Sequence, residues 1–133
     1  MVHLNFLAVL LAAIANYVLA TIWYALLFNK VWKKLTGITD MKPQPMNMVL
    51  SFVGAFVMSF VLYHMIVFGN NFFKMSDITG GLMAGFHSWV GFIAPVTLMT
   101  KLYEKKPWGL WVLDNGFWLI SLLVMGIILS LWI

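Results

Sequence analysis

The chain has 133 residues, of which 63% are hydrophobic and only 9% are charged, whereas an average soluble domain is about 25% charged. So few charges cannot cover the surface of a soluble domain of this length, which indicates one domain whose apolar surface faces lipid. The absence of cysteine excludes disulfides, thiolate metal sites and thiol redox chemistry. The net charge of +4 comes from lysines with no arginine. Without arginine, the chain has no side chain that could clamp a phosphate in bidentate geometry. The positive charge is better explained by membrane orientation than by nucleic-acid binding.

Four apolar runs are long enough to cross a bilayer, which takes about 20 residues. We predict spans at about residues 4–28, 47–68, 78–100 and 109–132. Short connections between spans favour an all-α, polytopic, antiparallel four-helix transmembrane bundle, with residues 1–133 as a single domain. A signal peptide is the alternative for the first run, because Ala13-Ile14-Ala15 resembles a cleavage site. The run continues past that point and no Lys or Arg precedes it, so an uncleaved span is favoured.

In the first span, Asn16 shares a face with small residues, where an amide suits a helix–helix hydrogen bond. Trp23 and Tyr24 suit an interfacial aromatic belt at the far end. The next connection, residues 29–46, is basic, and Trp32 and Leu35 are spaced to lay a short helix on the membrane surface. An ordinary basic loop is favoured here over a specific site for anionic lipid, because such loops are the expected topology signal.

The third span carries a seam of small residues at a heptad-like spacing, which predicts close helix packing. The seam consists of Gly81, Ala84, Ser88, Gly91 and Pro95. We expect a kink before the proline, because proline cannot donate to the helix. His87 lies beside the seam near the membrane midplane, where it is expected to bridge to Asn16 or to a serine. Proton relay, metal ligation and haem ligation are the alternatives.

The fourth span contains Asp114 and Asn115. A carboxylate in hydrocarbon costs about 2.5–3.5 kcal/mol, so Asp114 should face the bundle interior, a cavity or a second subunit. Its functional interpretation is a proton acceptor or a counter-charge for a cationic substrate. Its structural interpretation is capping of nearby donors or pairing with a lysine across the preceding turn, at position 101, 105 or 106.

Lysine distribution predicts orientation. The first and third connections hold four and three lysines, and the second holds one. Lysine-rich connections remain in the cytoplasm. We therefore expect a multi-pass protein of the cell (inner) membrane, with both termini outside the cytoplasm.

Three stretches carry a family resemblance. The first is Trp23-Tyr24 with Leu27-Phe28, Lys30, Trp32, Leu35 and Gly37; the second is Trp89 with Gly91-Phe92 and Lys106-Pro107-Trp108; the third is Asn115-Gly116-Phe117 with Gly126. In these positions the chain resembles the small bacterial membrane family catalogued as domain of unknown function 1761. The resemblance implies a four-helix bundle. It implies no activity and therefore no catalytic residues.

The preferred function is a homo-oligomeric bundle that binds or transports a small molecule of unknown identity. Its candidate ligand or proton-binding residues are His87, Asp114, Asn115 and Asn16. One alternative is a structural or accessory membrane protein that packs against partner subunits. The other is a membrane-embedded enzyme, which is less favoured because no catalytic constellation can be placed from the sequence. We expect membrane lipids as partners, and no metal, cofactor or nucleic acid.

Overall fold

The computed structural model describes residues 4–38, 44–75 and 77–133, and the regular elements within these ranges are helices. In chain order they are α1 (Phe6–Thr21), a first π segment (Ile22–Leu27), α2 (Asn29–Thr36), α3 (Pro45–Phe73), α4 (Ile78–Ser88), a second π segment (Trp89–Ile93), α5 (Ala94–Tyr103) and α6 (Trp108–Ser130). With the π segments joined to the α-helices that they continue, four helices are long and apolar enough to cross a membrane. The predicted fold class, an all-α polytopic bundle, is confirmed.

The four spans run over Phe6–Leu27, Pro45–Phe73, Ile78–Tyr103 and Trp108–Ser130. The second differs most from expectation, because its helix continues five residues past Phe68 through the segment expected as a loop. The polar end of this helix packs against the next one, since a Cβ on Gly80 would overlap the Asn70 side chain. The helix ends where Lys74 adopts a φ of 56°.

Local sequence explains where several helices begin and end. Asn5 caps α1 by accepting a hydrogen bond from the Ala8 main-chain N–H at 3.2 Å. Gly37 ends α2 with a φ of 72°, a left-handed conformation that favours glycine. Pro45 occupies the first turn of α3, where a missing N–H costs nothing. Lys42 and Pro43, which were expected to lie in this connection, are outside the described residues.

The core lies where α1, α3, α4 and α6 meet. Its buried members are small or aliphatic apart from one tyrosine: Ala8, Val9, Ala12, Leu62, Tyr63, Ile66, Leu122, Met125 and Leu129. The most apolar window of the fourth span is 44% buried, against 6% for the third. α6 is therefore the central helix, and the outer surface of the third span faces the surroundings.

Both basic connections lie at one end of the bundle. α2 contacts α6, and a Cβ on Gly109 would approach the Leu35 side chain to 3.0 Å. We call residues 28–37 and 101–108 the basic end. It carries six lysines and borders the first turn of the central helix.

The expected kink in the third span takes the form of a π segment. Ala94 N–H donates to Trp89 O, which widens the turn by one residue. Pro95 follows directly and has no N–H to donate, and its ring would clash with a carbonyl one turn back in a regular helix. The wider turn relieves that clash.

Candidate functional site

Two aromatic side chains from the first π segment contact consecutive residues of α6. Trp23 Nε1 donates a hydrogen bond to the Leu113 carbonyl at 3.2 Å, and the Tyr24 hydroxyl donates to Asp114 Oδ1 at 2.6 Å. A π turn, closed here by Phe28 N–H donating to Trp23 O at 2.9 Å, holds more residues than an α turn. Neighbouring side chains then diverge less, which explains how two adjacent aromatic residues both reach the same helix.

The second π segment contacts the next residue of α6. Trp89 Nε1 donates to the Asn115 carbonyl at 2.9 Å. The Asn115 side chain is 2% exposed, and its Nδ2 donates to the Trp111 carbonyl at 2.9 Å. The Thr97 hydroxyl lies 3.0 Å from Asn115 Oδ1 and 2.7 Å from the Ile93 carbonyl. Its single proton can serve only one of them at a time.

We call the side chains that meet at residues 113–115 of α6 the polar junction: Trp23, Tyr24, Trp89, Thr97, Asp114 and Asn115. Two helices that are far apart in sequence thus hold three consecutive residues of the central helix through side-chain hydrogen bonds. Packing and hydrogen bonds of this kind hold functional side chains in fixed positions. The carboxylate of Asp114 is the charged group at the centre of this arrangement.

A cavity of about 110 Å³ opens beside Asp114. At about 30 Å³ per water molecule, it has room for three or four waters or a small polar group. Its lining includes both charged and polar side chains, although apolar atoms form most of its surface. The lining residues come from α5, α6 and the connection between them: Thr97, Thr100, Lys101, Lys106, Leu110, Trp111, Asp114 and Asn115. The cavity therefore lies at the basic end, beside the polar junction.

Several groups around this cavity have unused hydrogen-bonding capacity. Trp111 Nε1 is buried and has no hydrogen-bond partner among the described residues. Lys101 Nζ lies 3.8 Å above the centroid of the Trp108 ring, in cation–π geometry. Lys106 Nζ lies 2.9 Å from Glu104 Oε2, with both side chains about half exposed. The hydrogen bond to Glu104 raises the pKa of Lys106.

The structure brings together only two of the four predicted ligand-binding residues, Asp114 and Asn115. Asn16 is buried and donates to Ser121 Oγ at 2.6 Å, roughly 9 Å further along α6 at 1.5 Å per residue. His87 is exposed on the outer face of the third span, with Nδ1 2.7 Å from the Met83 carbonyl. The expected bridge between His87 and Asn16 is therefore not formed.

Asp114 does not form the ion pair that its structural interpretation predicts, with a lysine across the preceding turn. Within the described ranges, the ion pair of that turn joins Lys106 to Glu104. Asp114 instead accepts from Tyr24, whose expected role was in an aromatic belt. The residue pair is separated by 90 positions in the chain, so no local spacing could have indicated it.

The small-residue seam divides into two parts. A Cβ on Gly81 would overlap the Gly126 carbonyl, and one on Gly85, which follows the seam residue Ala84, would lie 2.6 Å from the Leu122 carbonyl. By contrast, a Cβ on Gly91 would meet nothing within 4 Å among the described residues. The other members lie between these extremes. Ala84 packs on the core, the Ser88 hydroxyl is 3.6 Å from Met65 Sδ, and Pro95 is half-buried.

Sequence reasoning missed most of the polar junction and the cavity wall. It assigned Trp23 and Tyr24 to an interfacial aromatic belt and gave no role to Thr97. The family resemblance did single out Trp23, Tyr24 and Trp89, which is the one feature of the sequence that could have indicated them. As for metals, the described ranges contain no cluster of three or more His, Cys, Asp or Glu side chains that could hold an ion.

No curated protein and no solved structure matches this chain. A family model does match, over residues 7–130, which covers nearly all of the four spans. The polar junction and the close contact of Gly81 with Gly126 both lie inside the matched region. The chain belongs to the family described as protein of unknown function DUF1761.

Proposed function

We propose that the protein binds a small polar molecule in the cavity beside Asp114, and holds it in the membrane or carries it across. The observation that supports this most is a carboxylate on the central helix that lines a cavity together with two lysines. Placing a charge in a spanning helix costs about 2.5–3.5 kcal/mol on insertion scales. A neutral asparagine also has an oxygen that can accept from Tyr24, so the bridge alone does not require a charge.

The surroundings of Asp114 also favour binding. Trp23 and Trp89 hold the main chain on either side of it, at Leu113 and Asn115, so the carboxylate is presented in a fixed position. The cavity wall also holds two ammonium groups, those of Lys101 and Lys106, on the side opposite the carboxylate.

Native mass spectrometry of the purified chain in mild detergent tests this proposal. We expect the wild type to carry a stoichiometric non-protein mass and the Asp114→Asn variant to lose it. Asp77→Asn is the matched control, because Asp77 is exposed in the turn before α4 and outside the cavity wall. If the wild type carries only bulk detergent and lipid, or if both variants retain the same mass equally, the proposal is wrong. The same spectra count the subunits and so test the predicted homo-oligomer.

A second candidate function is an accessory subunit that packs against a partner in the membrane. The observation that favours it is the outer face of the third span. His87 is exposed there, in the middle of a spanning helix, and a Cβ on the neighbouring Gly91 would meet nothing within 4 Å among the described residues. If packing is the function, Gly91→Leu should abolish a cellular phenotype that Asp114→Asn leaves intact.

We propose further that the basic end faces the cytoplasm of the inner membrane, supported by the lysine distribution. The chain contains no cysteine, so single substitutions report orientation directly. In intact cells, a membrane-impermeant maleimide should label Asp77→Cys but not Lys34→Cys. Labelling in the reverse pattern would invert the orientation.

A further inference from the structure

We infer that the cavity beside Asp114 binds an amine-bearing phosphate ester, with the phosphoryl group against Lys101 and Lys106 and the ammonium group against Asp114. This inference rests on the proposed binding function and adds the chemical class of the ligand. Two sources carry this chemistry: the headgroup of an aminophospholipid and a free, water-soluble phosphate ester. Both combine one anionic and one cationic group within a few bonds.

The mixture of charges in the cavity wall selects for such a molecule. Lys101 and Lys106 would repel a simple cation, and Asp114 would repel a simple anion. A zwitterion places each of its charges against the opposite one, so that neither side of the cavity is left with an unmatched charge. Lysine binds phosphate as a point charge and needs no bidentate geometry, so the absence of arginine does not weigh against the assignment.

The lysine side of the cavity carries two ammonium groups. Lys106 Nζ lies 2.9 Å from Glu104 Oε2, with its side chain about half exposed. In the described part of the chain, Lys101 has no carboxylate partner and instead lies above the Trp108 ring. α6 begins at Trp108 with neither a side-chain cap nor an acidic residue in its first turn. Its uncapped N-terminus adds positive potential on the same side.

On the opposite side, Asp114 has an oxygen left for a ligand. Tyr24 donates to Oδ1, and no hydrogen bond to Oδ2 occurs within the described residues. Neighbouring Asn115 is not an equivalent acceptor, because it is buried and its Oδ1 lies within reach of the Thr97 hydroxyl. An ammonium group with free N–H bonds is therefore directed to Asp114. A quaternary ammonium has no N–H to donate and should bind less well.

The position and size of the cavity agree with this class. It lies where the third and fourth spans meet the basic end, near the ends of these spans and away from their middle. Its volume of about 110 Å³ is of the order of a short zwitterionic headgroup, and leaves acyl chains outside. An acyl chain would then run along the apolar surface of the spans.

Short-chain lipids dissolved in detergent provide the test, with the full-length chain as the receptor. Dihexanoyl phosphatidylethanolamine should bind at least about tenfold more tightly than dihexanoyl phosphatidylglycerol, because only the former has an ammonium group for a charge-assisted hydrogen bond. Dihexanoyl phosphatidylcholine should also bind less tightly. Calorimetric titration of each lipid gives these ratios.

Two substitutions test separately the side of the cavity that binds the ammonium group and the side that binds the phosphoryl group. Asp114→Asn should weaken phosphatidylethanolamine about tenfold, to the affinity of phosphatidylglycerol, so that both the preference and the stoichiometric retention of the wild type are lost. Lys101→Gln should weaken both lipids by about tenfold, since one charge-assisted bond is lost. Lys105→Gln is the matched control, because Lys105 belongs to the same turn but not to the cavity wall, and it should change neither affinity. Helical circular dichroism of each variant verifies that the bundle remains folded.

Competition by O-phosphoethanolamine, a soluble probe, distinguishes a lipid headgroup from a free phosphate ester as the ligand. Displacement of the lipid at comparable concentration supports a free phosphate ester as the ligand, and failure to displace supports a lipid headgroup. The inference is overturned if the wild type binds the three lipids equally, or if Lys101→Gln and Lys105→Gln have equal effects. The proposed function survives that result only if native mass spectra still show a stoichiometric mass that Asp114→Asn loses.

Discussion

The two ends of the central helix are held in opposite ways. Near its start, the polar junction joins α6 to the first and third spans through long aromatic side chains, and a cavity remains beside the contact. Near its end, Gly81 and Gly126 bring α4 and α6 into direct main-chain contact without space for a methyl group. Within a membrane the hydrophobic effect does not drive helices together, because lipid is as apolar as their surfaces. Close van der Waals packing stabilises helix pairs instead. From this difference we expect stability to be concentrated at the glycine contact, whereas the junction lies beside the cavity in which we propose ligand binding.

The largest effect on stability should follow from adding a methyl group at the contact between Gly81 and Gly126. Gly126→Ala places a Cβ against the Gly81 carbonyl, a main-chain atom that can move only with its helix. We expect a loss of about 3 kcal/mol in the free energy of unfolding, at the upper end of overpacking costs. Unfolding in mixed micelles, followed by circular dichroism, measures it. Gly54→Ala is the control, because a Cβ there meets nothing within 4 Å of the described residues; an equal loss in both variants would contradict this assignment of stability.

A smaller effect is expected at the second π segment. Trp89→Phe keeps an aromatic ring but removes the N–H that donates to the Asn115 carbonyl at 2.9 Å. The expected loss in the same unfolding assay is about 1 kcal/mol, which is typical of one hydrogen bond. Trp132→Phe, at an exposed position after α6, should change the unfolding free energy by less. If the two variants behave alike, the bond to Asn115 does not hold the junction together.

The smallest effect on stability should come from Tyr24→Phe. Interhelical hydrogen bonds within membranes contribute about 0.6 kcal/mol on average, so the unfolding free energy should fall by about that amount. The orientation of the Asp114 carboxylate should change more, because Tyr24 is its hydrogen-bond donor. Retention of the bound mass should therefore drop while the protein remains folded. Full retention would show that Tyr24 does not position the carboxylate.

Asp114→Asn should separate stability from binding altogether. Asparagine is close in shape and still accepts from Tyr24, while the cost of a charge in the spanning helix is removed. The free energy of unfolding should stay the same or rise, as happens when a functional group is held at the expense of stability. A loss of more than about 2 kcal/mol, well above the average interhelical hydrogen bond, would instead assign Asp114 to the structure of the bundle.

Hydropathy and spacing predicted the features that depend on local sequence. The four spans result from the length of apolar runs, and α2 results from the spacing of Trp32 and Leu35. Gly81, the first residue of the predicted seam, does lie against α6. Each of these depends on residues close together in the chain, so no knowledge of the tertiary arrangement is needed.

The features that could not be predicted depend on helix rotation. A heptad-like seam through Gly91 assumes a continuous α-helix, but the second π segment adds a residue to one turn and rotates the remainder of the span. Gly91 consequently lies away from the neighbouring helices. His87 lies just before this segment on the outer face, although its spacing placed it beside the seam. The bond between Tyr24 and Asp114 likewise requires the rotations of two helices, which the sequence alone does not contain.

The most direct test of ligand binding at Asp114 is a pair of native mass spectra, of the wild type and of Asp114→Asn, recorded in the same detergent. We predict equal subunit masses, apart from the substitution itself, and equal oligomeric states, with a stoichiometric bound mass present only in the wild type. A bound mass retained by Asp114→Asn at wild-type stoichiometry would contradict this prediction. The carboxylate would then be a structural bridge, and the cavity beside it would have no role in binding.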